Sequence, residues 1–309
     1  MYRILLIGIM LQQVIGCQSS LPQNEPTHPS TNKTTANFRF FEVAKLDSKY
    51  TETSGLEYLN HQLITHNDSG DAPTIYVLDT LGAGMSQNTF LNMRAIDWED
   101  ITRDETHLYI ADIGNNYGDR KDLVIYKTPL NQFNNTTAQV ERLVINYPEQ
   151  KDFSRNEQKH PYDAESLVAI NKSLYIFSKD WKDLNTIVYK LDKDSVEQSA
   201  AMIQKHPIKG LITGATYNGK DAVMLCGYDS GLAPFVIRVN YTEGKFEFKN
   251  KQWLPISGGA QVEAITYAYT NAAAEEIYYL SAEAVNIKLG EDEAKSDATL
   301  YKMIWKEDK

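Results

Sequence analysis

The chain has 309 residues, a formal net charge of -10 and two cysteines. An acidic chain with no local cluster of Lys and Arg is a poor match for nucleic acid, whose phosphates select basic surfaces. Cys17 closes the N-terminal apolar segment, so Cys226 is the one cysteine of the expected folded domain and no disulfide framework staples it.

In chain order, Met1-Tyr2-Arg3 precedes an apolar run from Ile4 to Met10, and Val14-Ile15-Gly16-Cys17 closes the segment. A charged start with a short apolar core describes a secretory signal and is too brief for a membrane-spanning helix. The ending resembles the bacterial lipobox. That resemblance implies a signal peptide over residues 1–16, acyl chains on Cys17, and a protein anchored to a membrane, the outer membrane of a bacterial envelope being the expected one. An ordinary signal peptide with an incidental cysteine is the alternative. Residues 17–37 comprise Cys17 and a stretch rich in Ser, Thr, Asn, Pro and Gln, which reads as a flexible tether. A folded domain is expected over residues 38–309.

That domain reads as all-β. Short runs of β-branched and aromatic residues alternate with Asp, Gly and Asn, which is strand and turn chemistry, and helical periodicity is missing. A motif returns five times: Ser54-Gly55-Leu56-Glu57, Asp97-Trp98-Glu99-Asp100-Ile101, Asp163-Ala164-Glu165-Ser166-Leu167, Thr213-Gly214-Ala215-Thr216 and Gln261-Val262-Glu263-Ala264-Ile265. A repeat of about 40 to 70 residues is the signature of small sheets arranged as a β-propeller. Each copy supplies an inner strand at the motif, a second strand such as Leu108-Tyr109-Ile110, and a third such as Val124-Ile125-Tyr126. Fourth strands are expected at Thr89–Arg94, Val140–Ile145, Ala201–Lys205 and Phe246–Trp253. The fifth unit lacks its own, and Phe38–Ala44 is expected to supply it and close the ring. Five four-stranded blades are favoured; a sixth would have to lie between Lys127 and Asp163, where the sequence is largely loop-like. Cys226, inside an apolar run, reads as a buried structural thiol.

In a propeller the first strand of each blade lines the channel. Glu57, Glu99, Glu165 and Glu263 are therefore expected to converge near one mouth, with Ala215 breaking the ring. Converging carboxylates repel unless protonated or neutralised by a cation, and hard oxygen ligands without a His/Cys set suit Ca2+. A second acidic set, Asp68, Asp112, Asp180 and Asp229, ends the second strands, where each aspartate also suits a turn. The basic residues Arg94, Arg120, Lys159, Lys179 and Lys182 are scattered and read as solvated charges, which weighs against a phosphate site.

Asp97-Trp98-Glu99-Asp100 followed by Asp112-Ile113-Gly114-Asn115-Asn116, with Ser54-Gly55-Leu56-Glu57 before and Asp163-Ala164-Glu165-Ser166-Leu167 after, resembles bacterial secreted propellers of the phytase-like and esterase-like-phytase group. The likeness covers most of the chain from Ser54 to about Asp180 and, weakly, the remainder. It implies channel acids that bind calcium, at Glu57, Asp68, Glu99, Asp100, Asp112, Glu165 and Glu263. In catalytic members such ions hold phosphate and activate water. Candidate catalytic residues are thus Glu99, Asp100, Asp112 and His66, with His160 a second histidine that could serve as a base.

Two functions follow as expectations. One is a calcium-binding, lipid-anchored propeller that recognises a small-molecule or protein ligand at the channel rim. The other is a calcium-dependent hydrolase of phosphate esters or of ester or lactone bonds.

Overall fold

The computed structural model describes residues 38–256, 260–289 and 292–306. The signal peptide, Cys17 and the tether lie outside the described residues. Strand β1 (Phe38–Lys45) opens the described chain, and five sheets follow. Blade 1 holds β2 (Thr53–Leu59), β3 (Gln62–Asn67), β4 (Thr74–Asp79) and β5 (Gly84–Thr89). Blade 2 holds β6 (Trp98–Arg103), β7 (His107–Asp112), β8 (Val124–Pro129) and β9 (Glu141–Asn146). Blade 3 holds β10 (Asp163–Ile170), β11 (Ser173–Lys179) and β12 (Asn185–Asp192). It ends with β14 (Ala201–Pro207), preceded by the short β13 (Glu197–Ser199), which pairs with β9 at the edge of blade 2.

Blade 4 contains β15 (Leu211–Tyr217), β16 (Ala222–Tyr228) and β17 (Pro234–Thr242), edged by β18 (Lys245–Phe248) and β19 (Gln252–Trp253). Blade 5 runs β20 (Val262–Thr270) and β21 (Glu276–Ala282). A separate hairpin of β22 (Val285–Leu289) and β23 (Asp292–Ser296) precedes β24 (Thr299–Trp305), and β1 is the outermost strand. Pairing along the blades is antiparallel, except that β13 runs parallel to β9.

Five blades form a closed propeller, and the closure is visible in two ways. First, β1 pairs with β24 from Phe38 opposite Trp305 to Lys45 opposite Thr299, so the first described strand completes the last blade. Phe38 stacks on Trp305 at 5.8 Å and Phe40 on Tyr301 at 5.1 Å, which fixes that register with aromatic contacts. Second, the apolar core divides into five clusters, each shared by two neighbouring blades. Ile64 and Trp98 join blades 1 and 2, Tyr109 and Leu167 join 2 and 3, and Val168 and Ile212 join 3 and 4. Met224 and Leu280 join 4 and 5, and Leu56 and Leu300 join 1 and 5.

Each sheet is thus buried on both faces, which is why the second strands are apolar along nearly their whole length and not alternating. Cys226 is a free, fully buried thiol within β16. The inner strands pack side by side around the axis, and β6 also touches β15 across it, so the channel is narrow.

As expected, the interval before β10 contains β9 and a loop, and no sixth blade among the described residues. One expectation needs correction. The fourth strand of blade 1 is Gly84–Thr89, not Thr89–Arg94. As an outer strand it is solvent-facing and needs no apolar pattern, whereas Phe90 and Met93 belong to the loop that packs onto blade 2.

Candidate functional site: an acidic mouth between two blades

Every inner strand carries an irregularity at the same place. The register slips around Ser54-Gly55 in β2, Glu99 in β6, Glu165-Ser166 in β10, Thr213 in β15 and Glu263 in β20. A bulge inserts an extra residue, bends the strand and re-aims a side chain. The five bulges therefore define the structural frame of the repeat: Ser54, Glu99, Glu165, Thr213 and Glu263 are equivalent, each followed by a small or short residue and then an aliphatic one.

This frame corrects the expected ring of four glutamates. Glu57 stands three residues beyond its bulge, about 10 Å further along the strand at the usual rise. Its carboxylate meets Arg103 at 3.2 Å and accepts the Tyr58 N–H at 3.0 Å. Burial pushes Glu57 up to about 7, against the pull of Arg103.

Of the seven expected metal ligands, the fold brings Asp68 and Glu99 together and adds Asp97. Their carboxylate oxygens lie within 4.8 Å of one another. Asp68 ends the second strand of blade 1, where its N–H donates to Glu52 O at 3.0 Å. Asp97 and Glu99 flank Trp98 at the start of β6, and the Glu99 bulge turns its side chain toward Asp97. Asp68 and Glu99 are buried and Asp97 is half-buried. The wall behind them is Gly114, where a β-carbon would overlap both Glu99 Oε1 and Asp97 Oδ2. Gly114 N–H also donates to Asp97 O at 3.2 Å, which ties the wall to the cluster.

The other expected ligands have different occupations. Asp112 accepts N–H bonds from Ile96 and Asp97 and pairs with Arg120 at 2.9 Å. It positions the segment that carries Asp97, and burial raises its pKa against the opposing pull of Arg120. Asp100 accepts the Ile101 N–H at 2.8 Å and the Leu167 N–H at 2.7 Å, bridging blades 2 and 3; burial raises it well above the usual carboxylate range. Glu165 forms an ion pair with Lys179. Glu263 accepts from Gln261 at 3.3 Å. Asp180 and Asp229 close turns by accepting N–H bonds from Lys182 and Asp183, and from Gly231 and Ala233.

His66 packs edge-on to Trp98 at 5.6 Å. Its Nδ1–H donates to Asn67 O at 3.0 Å, and burial lowers its pKa to about 4. It is a neutral, packed side chain near neutral pH.

Sequence reasoning missed the state of two basic groups. Lys179 is buried, not solvated: burial opposes its charge, but Glu165 above all, with Tyr228 and Glu263, holds the ammonium well above the usual lysine range. Its Nζ sits 4.9 Å from the Trp181 ring and 5.5 Å from that of Tyr228. Trp181 in turn donates its indole N–H to Asp163 at 2.7 Å. Arg120 is largely buried as well, reaching Asp112 and Gly114 O, and its charge also acts on Asp97.

Chemically, the site is an oxygen-rich cluster of three carboxylates against a fixed backbone wall. Two ionised carboxylates at this separation repel by about 3 to 4 kcal/mol at an effective dielectric near 20, so the cluster favours a cation. Oxygen donors without His or Cys match a hard ion such as Ca2+.

No family model matches the chain, and no curated protein matches it. Among solved structures it is similar to the PQQ-bound form of aldose sugar dehydrogenase from Streptomyces coelicolor, at 10% identity and a TM-score of 0.49, covering 87% of this chain and 99% of that one. It is also similar to a putative 6-phosphogluconolactonase from Bacteroides uniformis ATCC 8492, at 13% identity and a TM-score of 0.36, covering 83% and 73%. At such identities and scores these likenesses carry no argument about activity.

Proposed function

We propose that the protein is a lipid-anchored propeller of the bacterial envelope that holds Ca2+ on Asp68, Asp97 and Glu99 and recognises a ligand at that mouth. The observation that carries the reading is the meeting of three carboxylates from two blades within 4.8 Å, two of them buried. Ca2+ takes six to eight oxygen ligands, and three carboxylates giving one atom each supply three. The remaining positions would go to water or to oxygens of the ligand. The anchor part of the proposal rests on Cys17 and its lipobox-like context.

The phytase-like motifs keep a calcium-dependent hydrolase as the alternative. Binding without chemistry is preferred because one histidine considered as a base is sealed from solvent and the other has both ring nitrogens engaged. A metal-assisted hydrolysis needs a base within reach of the attacking water. His66 is fully buried with Nδ1 bonded to Asn67 O, and both ring nitrogens of His160 are occupied by Tyr162 N–H and Asn116 O.

Thermal melting of the chain from residue 31 onward, in calcium and in chelator, tests the proposal. The melting temperature rises in calcium, and Glu99→Gln removes the rise. An unchanged melting temperature would refute the cation site. A panel of chromogenic phosphate and carboxylate esters separates the two functions: turnover lost in Glu99→Gln would establish the hydrolase.

A further inference from the structure

The loop that follows Gly114 leads into a second recess. Gly118 forms one wall of a cavity of about 290 Å³, and the other walls come from the connection between β9 and β10. That connection is fastened to the Asn115–Gly118 loop. Asn156 N–H donates to Tyr117 O at 2.8 Å, Gln158 N–H to Asn116 O at 2.9 Å, and Gln150 Nε2 to Gly118 O at 2.8 Å.

His160 accepts the Tyr162 N–H at Nδ1 and donates from Nε2 to Asn116 O, which fixes one neutral tautomer. Tyr162 stacks against His160 at 6.5 Å and Tyr147 at 6.0 Å. Gln150, His160 and Tyr162 are therefore held in place, while Glu149, Lys151, Asp152, Ser154 and Asn156 are exposed at the rim.

Its lining is polar and mixed in sign. Gln150 is only 5% exposed; with its amide committed to Gly118, its Oε1 accepts no hydrogen bond from a described residue. Around it stand Glu149, Lys151, Asp152 and Asn156. Two carboxylates against one ammonium disfavour an anion, the ammonium disfavours a cation, and the polar walls disfavour a lipid. Sugar hydroxyls both donate and accept, which suits adjacent acceptors and donors of this kind. The volume lies at the small end of the range for ligand pockets.

We propose that this cavity is a binding subsite for a neutral polyhydroxylated ligand, a sugar or cyclitol. Gly114 and Gly118 are four residues apart, so their Cα atoms are separated by at most about 14 Å. The inference stands without the cation: binding of a single ring in the cavity requires no metal.

The test is saturation-transfer NMR on the chain from residue 31 onward with D-glucose, D-galactose, N-acetylglucosamine and myo-inositol, each in calcium and in chelator. At least one probe binds, equally in both conditions. Asn156→Ala weakens that binding by about tenfold, the scale of one lost hydrogen bond, and Ser154→Trp, which fills the recess, abolishes it. Glucosamine and glucose 6-phosphate serve as charged arms. The inference is overturned if no neutral probe binds, if only a charged one does, or if binding survives both substitutions. Circular dichroism reports folding, and Asn156→Ala decides alone if Ser154→Trp does not fold.

Discussion

Gly114 backs directly onto Glu99, and no β-carbon fits between them: one placed there would overlap Glu99 Oε1 and, beside it, Asp97 Oδ2. The backbone of the Asp112–Asn115 loop thereby forms the wall of the acidic mouth. Gly114→Ala pushes the two carboxylates apart while leaving all three acids in the chain. The expected outcome, by isothermal titration, is at least a tenfold loss of calcium affinity, about 1.4 kcal/mol. Unchanged affinity would separate Gly114 from the site.

Lys179 and Glu165 form the buried ion pair of blade 3. Removing one partner of such a pair leaves an uncompensated charge and costs about 3 kcal/mol or more, whereas removing both costs much less. Urea denaturation of Lys179→Met should show the large loss, and the double variant Lys179→Met with Glu165→Gln should recover most of it. A single variant within about 0.5 kcal/mol of wild type would contradict the burial of this pair.

Glu57 makes stability depend on pH. Its folded pKa, about 7, lies above the ordinary value of 4.5, so the folded state holds the proton more tightly than the unfolded chain. The contribution is fully present below about pH 4.5 and is lost as the pH rises through 7. Glu57→Gln keeps the neutral form at every pH. It should therefore stabilise the protein at pH 8 relative to wild type and have little effect at pH 4.5. Equal urea midpoints for the two proteins at pH 8 would contradict the assignment.

Strand β1 closes the ring by pairing with β24. Without residues 1–45, β24 becomes an open edge and the stacked faces of Tyr301 and Trp305 lose Phe40 and Phe38. Such a chain should melt many degrees lower and self-associate in analytical ultracentrifugation. A monomer with an unchanged melting temperature would show that closure does not depend on this strand.

Much of the fold was legible because each blade writes the same order of apolar runs and turns, and because the closing strand at Phe38 was the fourth strand that blade 5 lacked. The outer strand of blade 1 was not: Gly84–Thr89 faces solvent and has no apolar signature. The site was half legible. Asp68 and Glu99 stood out as acids, but aligning the copies on acid identity put Glu57 in the ring. The bulges show that Ser54 occupies that place. A better signal was the pair that follows each bulge residue: Gly55-Leu56, Asp100-Ile101, Ser166-Leu167, Gly214-Ala215 and Ala264-Ile265. Lys179 looked like a surface charge because sequence does not reveal that Glu165 and two aromatic rings surround it.

The most direct test of the cation site is an anomalous difference map from crystals grown with terbium, a luminescent and strongly scattering stand-in for calcium. The account predicts a peak among Asp68, Asp97 and Glu99, about 2.3 to 2.6 Å from their carboxylate oxygens. No peak at that place, or strong peaks only at Glu57, Glu165 or Glu263, would contradict it.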